Sequence, residues 1–222
     1  MLRAYGATDK GRIRPTNEDH FAVDEALRLC VVADGMGGHN AGEVAARVAV
    51  DAIVDFVASA RHVDSCHPGD LVRTAIHLAH MQVLETARTS DEYFGMGTTI
   101  VAALVVGDRL AVGHVGDSRL YLSTADGLRQ FTRDDAWMHM LTNVVGARGG
   151  ADVHVDEERL SGGELLLLST DGVHGVLDAV RLERLLTDQG DLQGIATGVV
   201  RAALTRGSRD NCTAVVARYQ RD

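Results

Sequence analysis

Apolar residues repeat along the chain with two different periods, and these periods predict its secondary structure. Steps of three and four residues run from about Gly42 to Arg61, which predicts one amphipathic helix. The same period follows Pro68, a residue that commonly opens helices, so a second helix is predicted there. Val180–Thr187 and Leu192–Thr205 are also predicted to be helical. The pattern therefore predicts one helix pair in the first half of the chain and another near its end.

Short β-branched or alternating runs, separated by turn residues, predict the strands. They are Leu27–Asp34, Thr98–Val106, Arg109–Val115, Ser118–Ser123, Leu128–Thr132, Glu164–Ser169 and Cys212–Tyr219. The four central runs are joined by short turns rather than helices, so we expect them to form a meander of antiparallel strands. Together these elements predict an α+β fold, an α-β-β-α sandwich of two mostly antiparallel sheets with a helix pair on each outer side.

Length, composition and charge limit the class of protein. With 222 residues, 45% of them hydrophobic and 24% charged, the chain is expected to form one globular domain over residues 1–222. Its 22 Lys+Arg against 31 Asp+Glu give a formal charge of −9, which argues against binding to nucleic acid or an anionic membrane. The sequence has neither a stretch of about 20 apolar residues nor an apolar leader, so a cytoplasmic location is expected. Cys30 and Cys212 lie in predicted strands and are interpreted as buried thiols.

Several aspartates stand at the ends of the predicted strands, each followed by glycine, serine or asparagine. They are Asp34, Asp117, Asp171 and Asp210. Carboxylates brought to one rim of a sandwich would repel one another unless cations lay between them, and hard oxygen ligands favour Mg²⁺, Mn²⁺ or Ca²⁺. Asp-Gly is also an ordinary turn signal, so each pair taken alone fits a turn as well as it fits a metal ligand.

Six short motifs occur in the order typical of one enzyme family. They are Asp9–Asp19, Asp34–His39, Gly95–Thr99, Gly116–Arg119, Ser169–Gly172 and Asp210–Asn211. In these motifs the chain resembles the bacterial type 2C metal-dependent protein Ser/Thr phosphatases, nearly from end to end. The resemblance implies an α-β-β-α sandwich, in agreement with the pattern above, and a Mg- or Mn-dependent enzyme that hydrolyses phosphoserine and phosphothreonine in proteins.

The resemblance also implies a set of metal ligands. Asp34 would bridge two divalent metals, with Asp171 and Asp210 completing the first metal and the Gly35 carbonyl touching the second. Asp117, together with Asp171, would bind a third and weaker metal. Two such ions lower the pKa of a bridging water, so hydroxide would attack phosphorus directly without a covalent enzyme intermediate.

Other matched positions would act around those metals. Glu18 and Asp19 would hold coordinated waters from a second layer, and Asn211 belongs to the same group. Arg14 would clamp the substrate phosphate with its forked guanidinium, and the alternative is an arginine in a surface loop. The eukaryotic branch carries a histidine directly after Asp-Gly, where this chain has methionine. His39 is therefore a candidate donor of the proton to the leaving group, and metal-bound water is the alternative.

One segment departs from the family pattern. Relatives carry a partly helical flap between a Thr-x-Asp motif and an Asn-containing motif, whereas here Thr132–Asp135 is followed almost at once by Asn143–Gly146. We therefore predict a flap shortened to one turn or loop, and an unusually open site. Trp137 lies in this segment and would contact substrate, anchor the flap or join the core.

An active phosphatase is the first hypothesis, with phosphorylated proteins as substrates and a Ser/Thr kinase, or that kinase's substrates, as the associated partners. The alternative is a phosphatase-like module that binds phosphoproteins or switches regulatory partners with little turnover. The retained acidic residues favour the enzyme, because a pure binding module gains nothing from several mutually repelling carboxylates. A metal-dependent enzyme acting on nucleotides is less favoured, since the chain is acidic and lacks a glycine-rich phosphate loop.

Overall fold

A computed structural model describes residues 1–38, 41–60, 67–138, 140–187 and 190–221. In chain order the strands are β1 (Leu2–Asp9), β2 (Asp19–Asp24), β3 (Leu29–Met36), β4 (Gly97–Thr98), β5 (Ile100–Val106), β6 (Arg109–Val115), β7 (Arg119–Thr124), β8 (Gly127–Gln130), β9 (Ala136–Trp137), β10 (Met140–Leu141), β11 (His154–Arg159), β12 (Leu165–Ser169) and β13 (Cys212–Tyr219). The helices are α1 (Ala41–Ala60), α2 (Pro68–Thr86), α3 (Asp171–His174), α4 (Ala179–Thr187) and α5 (Leu192–Thr205).

Except for β9 and β10, which pair with each other, the strands form two stacked sheets in which hydrogen-bonded neighbours run antiparallel. The first sheet has the order β1-β13-β12-β7-β8, and the second has the order β11-β6-β5-β3-β2 with β4 added beside β3. Apolar side chains from both sheets, such as Val32, Leu120 and Leu168, fill the space between them. On the outer faces, α1 and α2 cover the second sheet and α3 to α5 cover the first. The predicted α-β-β-α sandwich is confirmed, with the single turn α3 added to the second helix layer.

The central strands do not form one meander, and that prediction was wrong. β5 and β6 pair with each other in the second sheet, whereas β7 pairs with β12 in the first. The chain crosses between the sheets at residues 116–118, where Gly116 takes a φ of 97° that an L side chain rarely adopts. Asp117 lies at this crossing, so the change of sheet brings its carboxylate to the rim.

Apart from the two short strands β9 and β10, three strands were absent from the sequence-based prediction, and all three are edge strands. β1 borders the first sheet, while β2 and β11 border the second. Edge strands contact a neighbour on one side only and carry polar or half-buried side chains, so their sequences lack a clear apolar pattern.

Cys30 and Cys212 are free thiols without accessible surface, as predicted. In the described part of the chain, no helix combines the length and apolar character that a membrane span requires.

Candidate functional site

The predicted aspartates meet at one end of the sandwich because the relevant strands begin or end there. Asp19 opens β2 and stands directly opposite Asp34 of β3 in the antiparallel register. Asp171 follows β12, and Asp210 lies just before β13. A pocket of about 230 Å³ opens at this end; its lining includes Arg14, Glu18, Asp34, Gly35, Asp117, Asp171 and Asp210. The fold thus brings together residues that are nearly 200 positions apart in the sequence.

Like charges dominate the electrostatics of this pocket. Loss of solvent raises the pKa of Asp34 well above its usual range, and the neighbouring carboxylates of Asp19, Asp171 and Asp210 raise it further. Burial likewise raises the pKa of Asp117 to about 6, with Asp171 adding to the effect. The cluster would therefore resist full ionisation unless a positive charge were supplied.

Asp19 is the most enclosed of these carboxylates, with 6% of its surface exposed. Its Oδ2 accepts hydrogen bonds from the hydroxyls of Thr213 at 2.6 Å and Thr170 at 2.9 Å. Burial still raises the pKa of Asp19 to about 7, against these two bonds. Its Oδ1 is buried without a hydrogen-bond partner, and so is Oδ1 of Asp171.

The unpaired oxygens and the donor types of this pocket show whether its residues suit divalent cations. Buried carboxylate oxygens without a donor are uncommon in proteins, since the loss of hydration must be compensated. Oxygen-only donors match the preference of Mg²⁺ and Mn²⁺. Within the described ranges, no three His, Cys, Asp or Glu side chains are already arranged around one point as ligands. The donor chemistry fits a metal centre, although small side-chain movements would be needed to complete it.

Arg14 and Asp210 form an ion pair across the mouth of the pocket. The Arg14 Nη2 donates to Asp210 Oδ2 at 2.6 Å, and this bond raises the pKa of the guanidinium above its ordinary value. A carboxylate and a phosphate present similar pairs of acceptor oxygens to an arginine. Asp210 therefore occupies the position on Arg14 that a phosphate could take.

Asn211 joins the two ends of the chain beneath the site. Its Nδ2 donates to the carbonyls of Lys10 at 2.8 Å and Thr16 at 2.9 Å, while its Oδ1 accepts from the backbone N–H of Glu18 at 2.9 Å. The residue is buried, with 3% exposure. It thereby fixes the loop that presents Arg14 and Glu18 to the pocket.

Two glycines allow backbone segments to pack closely behind the carboxylates. A Cβ at Gly172 would lie 1.9 Å from the Asn211 carbonyl oxygen, and one at Gly35 would lie 2.0 Å from the Gly42 carbonyl oxygen. These Asp-Gly pairs are therefore close backbone contacts of the site rather than ordinary turns.

The shortened flap is a small hairpin formed by β9 and β10. Asp135 holds its base: Oδ2 accepts from Asn143 Nδ2 at 2.7 Å and from the backbone N–H of Gly116 at 3.1 Å, and Oδ1 lies 3.0 Å from His154 Nε2. Trp137 is 63% exposed, so the interpretation of it as a core residue was wrong. Leu141 lines the pocket and joins the hairpin to the site.

The sequence-based prediction did not identify several residues that support the carboxylates of the site. Thr170 and Thr213 hold Asp19, and the hydroxyl of Thr99 accepts from the Asp34 backbone N–H at 3.0 Å. Thr99 and Thr170 belong to motifs already singled out, and their place beside the acidic residues was the available signal. Asp135 ends the Thr132–Asp135 motif, but the sequence around it does not indicate its partners, which come from three separate segments. His39, the candidate proton donor, lies outside the described residues.

The chain is similar to known proteins along nearly all of its length. The family described as protein phosphatase 2C matches residues 14–206. Serine/threonine phosphatase stp of Listeria welshimeri is 29% identical, over 97% of this chain and 95% of its own. Serine/threonine protein phosphatase PstP of Mycobacterium tuberculosis is 32% identical, over 98% of this chain and 45% of its own.

Solved structures show the same likeness. The catalytic domain of PstP in complex with two manganese ions superposes with a TM-score of 0.88 at 27% identity, over 98% of this chain and 97% of that one. A bacterial serine phosphatase gives a TM-score of 0.91 at 28% identity, over 100% of this chain and 99% of that one.

Proposed function

The chain belongs to the protein phosphatase 2C family, and we propose that the carboxylate pocket at the end of its sandwich is the catalytic centre. The protein is a metal-dependent serine/threonine phosphatase that takes two divalent metals, and its substrates are phosphorylated proteins. The observation that carries the assignment of the site is the convergence of Asp34, Asp171 and Asp210 on one pocket with Arg14.

Asp34, the Gly35 carbonyl, Asp171 and Asp210 would hold the two metals, and Asp117 with Asp171 would hold a third. When bound, divalent metals supply Lewis-acid charge that favours attack of water on phosphorus and neutralises the phosphate oxygens. Asp34 can serve because its backbone is fixed by Thr99 and its carboxylate lies among other acids.

The remaining residues orient the substrate and the ligands. Arg14 would exchange its bond to Asp210 for bonds to phosphate oxygens, since both acceptors suit its fork. Glu18 and Asp19 would act from behind the ligands, where Thr170 and Thr213 fix Asp19 in one orientation. Asn211 would keep the Arg14 loop in place through its three backbone hydrogen bonds.

We further propose that residues 1–222 act as one catalytic domain in the cytoplasm. The enzyme would reverse phosphorylation by a Ser/Thr kinase, and it would bind neither nucleic acid nor a membrane. The free buried thiols of Cys30 and Cys212 fit a reducing compartment. The non-catalytic alternative has no support among the relatives above, which are named as phosphatases.

The decisive experiment measures hydrolysis of p-nitrophenyl phosphate and of a phosphothreonine peptide with Mn²⁺ and with EDTA. Turnover should need metal and fall at least about 1,000-fold in Asp34→Ala and Asp171→Ala, because each removes a ligand. Activity that survives in Asp171→Ala would contradict the assigned site. Calorimetric Mn²⁺ binding without turnover would instead support the binding module.

Asp117→Ala tests the third metal separately. It should retain tight binding of the first two ions but lose much of the rate, with a higher Mn²⁺ requirement. Full activity at the wild-type Mn²⁺ concentration would remove Asp117 from the site.

A further inference from the structure

A second concave surface lies between α4 and α5, on the outer side of the first sheet. It is a groove of about 430 Å³. Its floor is apolar and includes Leu177, Leu185 and Ala202. Neither the metal site nor the hairpin uses these residues.

Four arginines stand around this apolar floor. They are Arg181, Arg184, Arg201 and Arg206. Arg181 pairs with Asp178 at 3.3 Å, whereas the other three make no ion pair with any residue in the described ranges. Such a concentration of arginine is unexpected on a chain with a formal charge of −9. The groove therefore offers an apolar surface with a positively charged rim.

Gly198 is an independent sign that something approaches the groove. It lines the groove from the middle of α5, and a Cβ added there would meet no atom within 4 Å. Glycine inside a helix is less favourable than alanine. Packing within the described chain gives no reason for that cost, whereas close approach of a bound segment to the helix backbone would.

The groove also lies near the catalytic end of the molecule. Arg206 precedes Asp210 by four residues, which limits their separation to about 14 Å even for extended chain. Leu177 follows Asp171 by six residues across the short helix α3. A peptide held in the groove could therefore extend to the metal site.

We propose that the groove between α4 and α5 docks an acidic amphipathic segment of the phosphoprotein substrate, away from the phosphorylated residue. Apolar side chains of that segment would cover Leu185 and Ala202, and its carboxylates would meet Arg184 and Arg201. Recognition at this second surface would add selectivity to the contacts that a protein substrate makes at the pocket and its hairpin. The proposal rests on the phosphatase function proposed above.

The test uses two synthetic phosphothreonine peptides that differ only in a tail of about 15 residues, long enough to form an amphipathic helix. Both tails carry leucines at helical spacing; one has glutamate and the other lysine at the remaining positions. A glycine–serine linker joins the tail to either side of the phosphothreonine. At low salt the glutamate tail should raise kcat/KM about tenfold over the lysine tail, because several exposed charge pairs each contribute a modest factor.

Matched variants assign the preference to the groove. Arg184→Glu/Arg201→Glu should abolish it, and Gly198→Leu should do so by filling the groove without changing its charge. The control Arg47→Glu/Arg88→Glu makes the same charge change on exposed residues of the other helical layer and should retain the preference. All variants should hydrolyse p-nitrophenyl phosphate at the wild-type rate.

Equal kcat/KM for the two tails, or a preference that survives in both groove variants, would overturn the proposal. Arginine-dependent binding to phosphatidylserine vesicles without binding to the glutamate tail would also overturn it, in favour of a membrane contact. Fluorescence anisotropy of the unphosphorylated glutamate tail measures docking without turnover. Loss of metal-dependent hydrolysis with intact tail binding would count against the phosphatase site and not against the groove.

Discussion

Asp19 and Asp34 are neighbours across two strands, and both carry raised pKa values. Opposed like charges weaken an antiparallel pair, and burial increases that cost. The metal-free fold therefore bears a local electrostatic strain at the positions where cations are expected. Because the strain arises from the carboxylates themselves, the stability of the metal-free protein reports on it independently of turnover.

Asp34→Asn should stabilise the metal-free protein while weakening its response to Mn²⁺. The amide has nearly the same shape and removes one of the repelling charges, so the free energy of unfolding in EDTA at alkaline pH should rise by about 1–2 kcal/mol. Urea denaturation with and without Mn²⁺ measures both effects. Asp126→Asn, at an exposed turn, is the control and should change neither; a less stable Asp34→Asn would contradict the strain.

Gly172→Ala should be strongly destabilising because its Cβ would collide with the Asn211 carbonyl, a backbone atom that cannot turn aside. We expect a loss of about 2–4 kcal/mol and of most activity, since Asp171 and Asn211 would both shift. Gly149→Ala is the matched control, as no atom lies within 4 Å of its added Cβ. Thermal melting compares the two; equal Tm values would show that the backbone segments of Gly172 and Asn211 move apart freely.

The side chain of Asp135 ties the base of the hairpin to three neighbouring segments. Asp135 joins β9 to Asn143, to His154 of β11 and to the turn that carries Asp117. It therefore connects the hairpin to the segment that carries Asp117, which we propose as a ligand of the third metal. Because Trp137 is the only tryptophan of the chain, its fluorescence reports on the hairpin alone.

Asp135→Ala should lower the fluorescence anisotropy of Trp137 and raise the Mn²⁺ concentration needed for half-maximal activity several-fold. It removes three contacts and leaves Asn143 without one acceptor. Asp156→Ala, an exposed change on β11, should leave both readouts unaltered. Unchanged anisotropy together with an unchanged Mn²⁺ requirement would show that Asp135 does not connect hairpin and site.

The sequence predicted the buried elements well and the edges poorly. β3, β5, β12 and β13 were found because their side chains are apolar on both faces, and the long helices because of their period. Strands such as β1 were missed because a half-exposed edge needs no apolar alternation. The carboxylates of the site were found through their motifs, whereas the role of Asp135 was missed because its partners Asn143, His154 and Gly116 come from three separate segments that local pattern does not bring together.

For the whole molecule, the raised pKa values predict how stability responds to pH. Burial places the pKa of Asp19 at about 7 and that of Asp117 at about 6, against an ordinary value of 3.8. At pH values between the ordinary and the raised pKa, the folded metal-free protein binds more protons than the unfolded chain. Its stability therefore falls as pH rises from about 4 to about 7.

Bound divalent cations should reverse that dependence, because they favour the ionised carboxylates and their binding releases protons. We expect Tm in EDTA to be lower at about pH 8 than at about pH 5, and the stabilisation by Mn²⁺ to be larger at the higher pH. Differential scanning fluorimetry across pH checks both slopes. Stability in EDTA that rises through this range would show that these carboxylates ionise freely without metal.

The pairing of β1 with β13 also sets an order for folding during synthesis. Leu2 pairs with Tyr219, so β1 gains its partner only after Cys212–Tyr219 has left the ribosome. The second sheet and its helices α1 and α2 draw on the chain up to β11 and can assemble earlier. Arg14 follows β1 and Asp210 precedes β13, so the pocket is completed with this last pairing. A nascent chain halted before residue 212 would thus hold much of the fold but lack β13, which joins β1 to the rest of the first sheet.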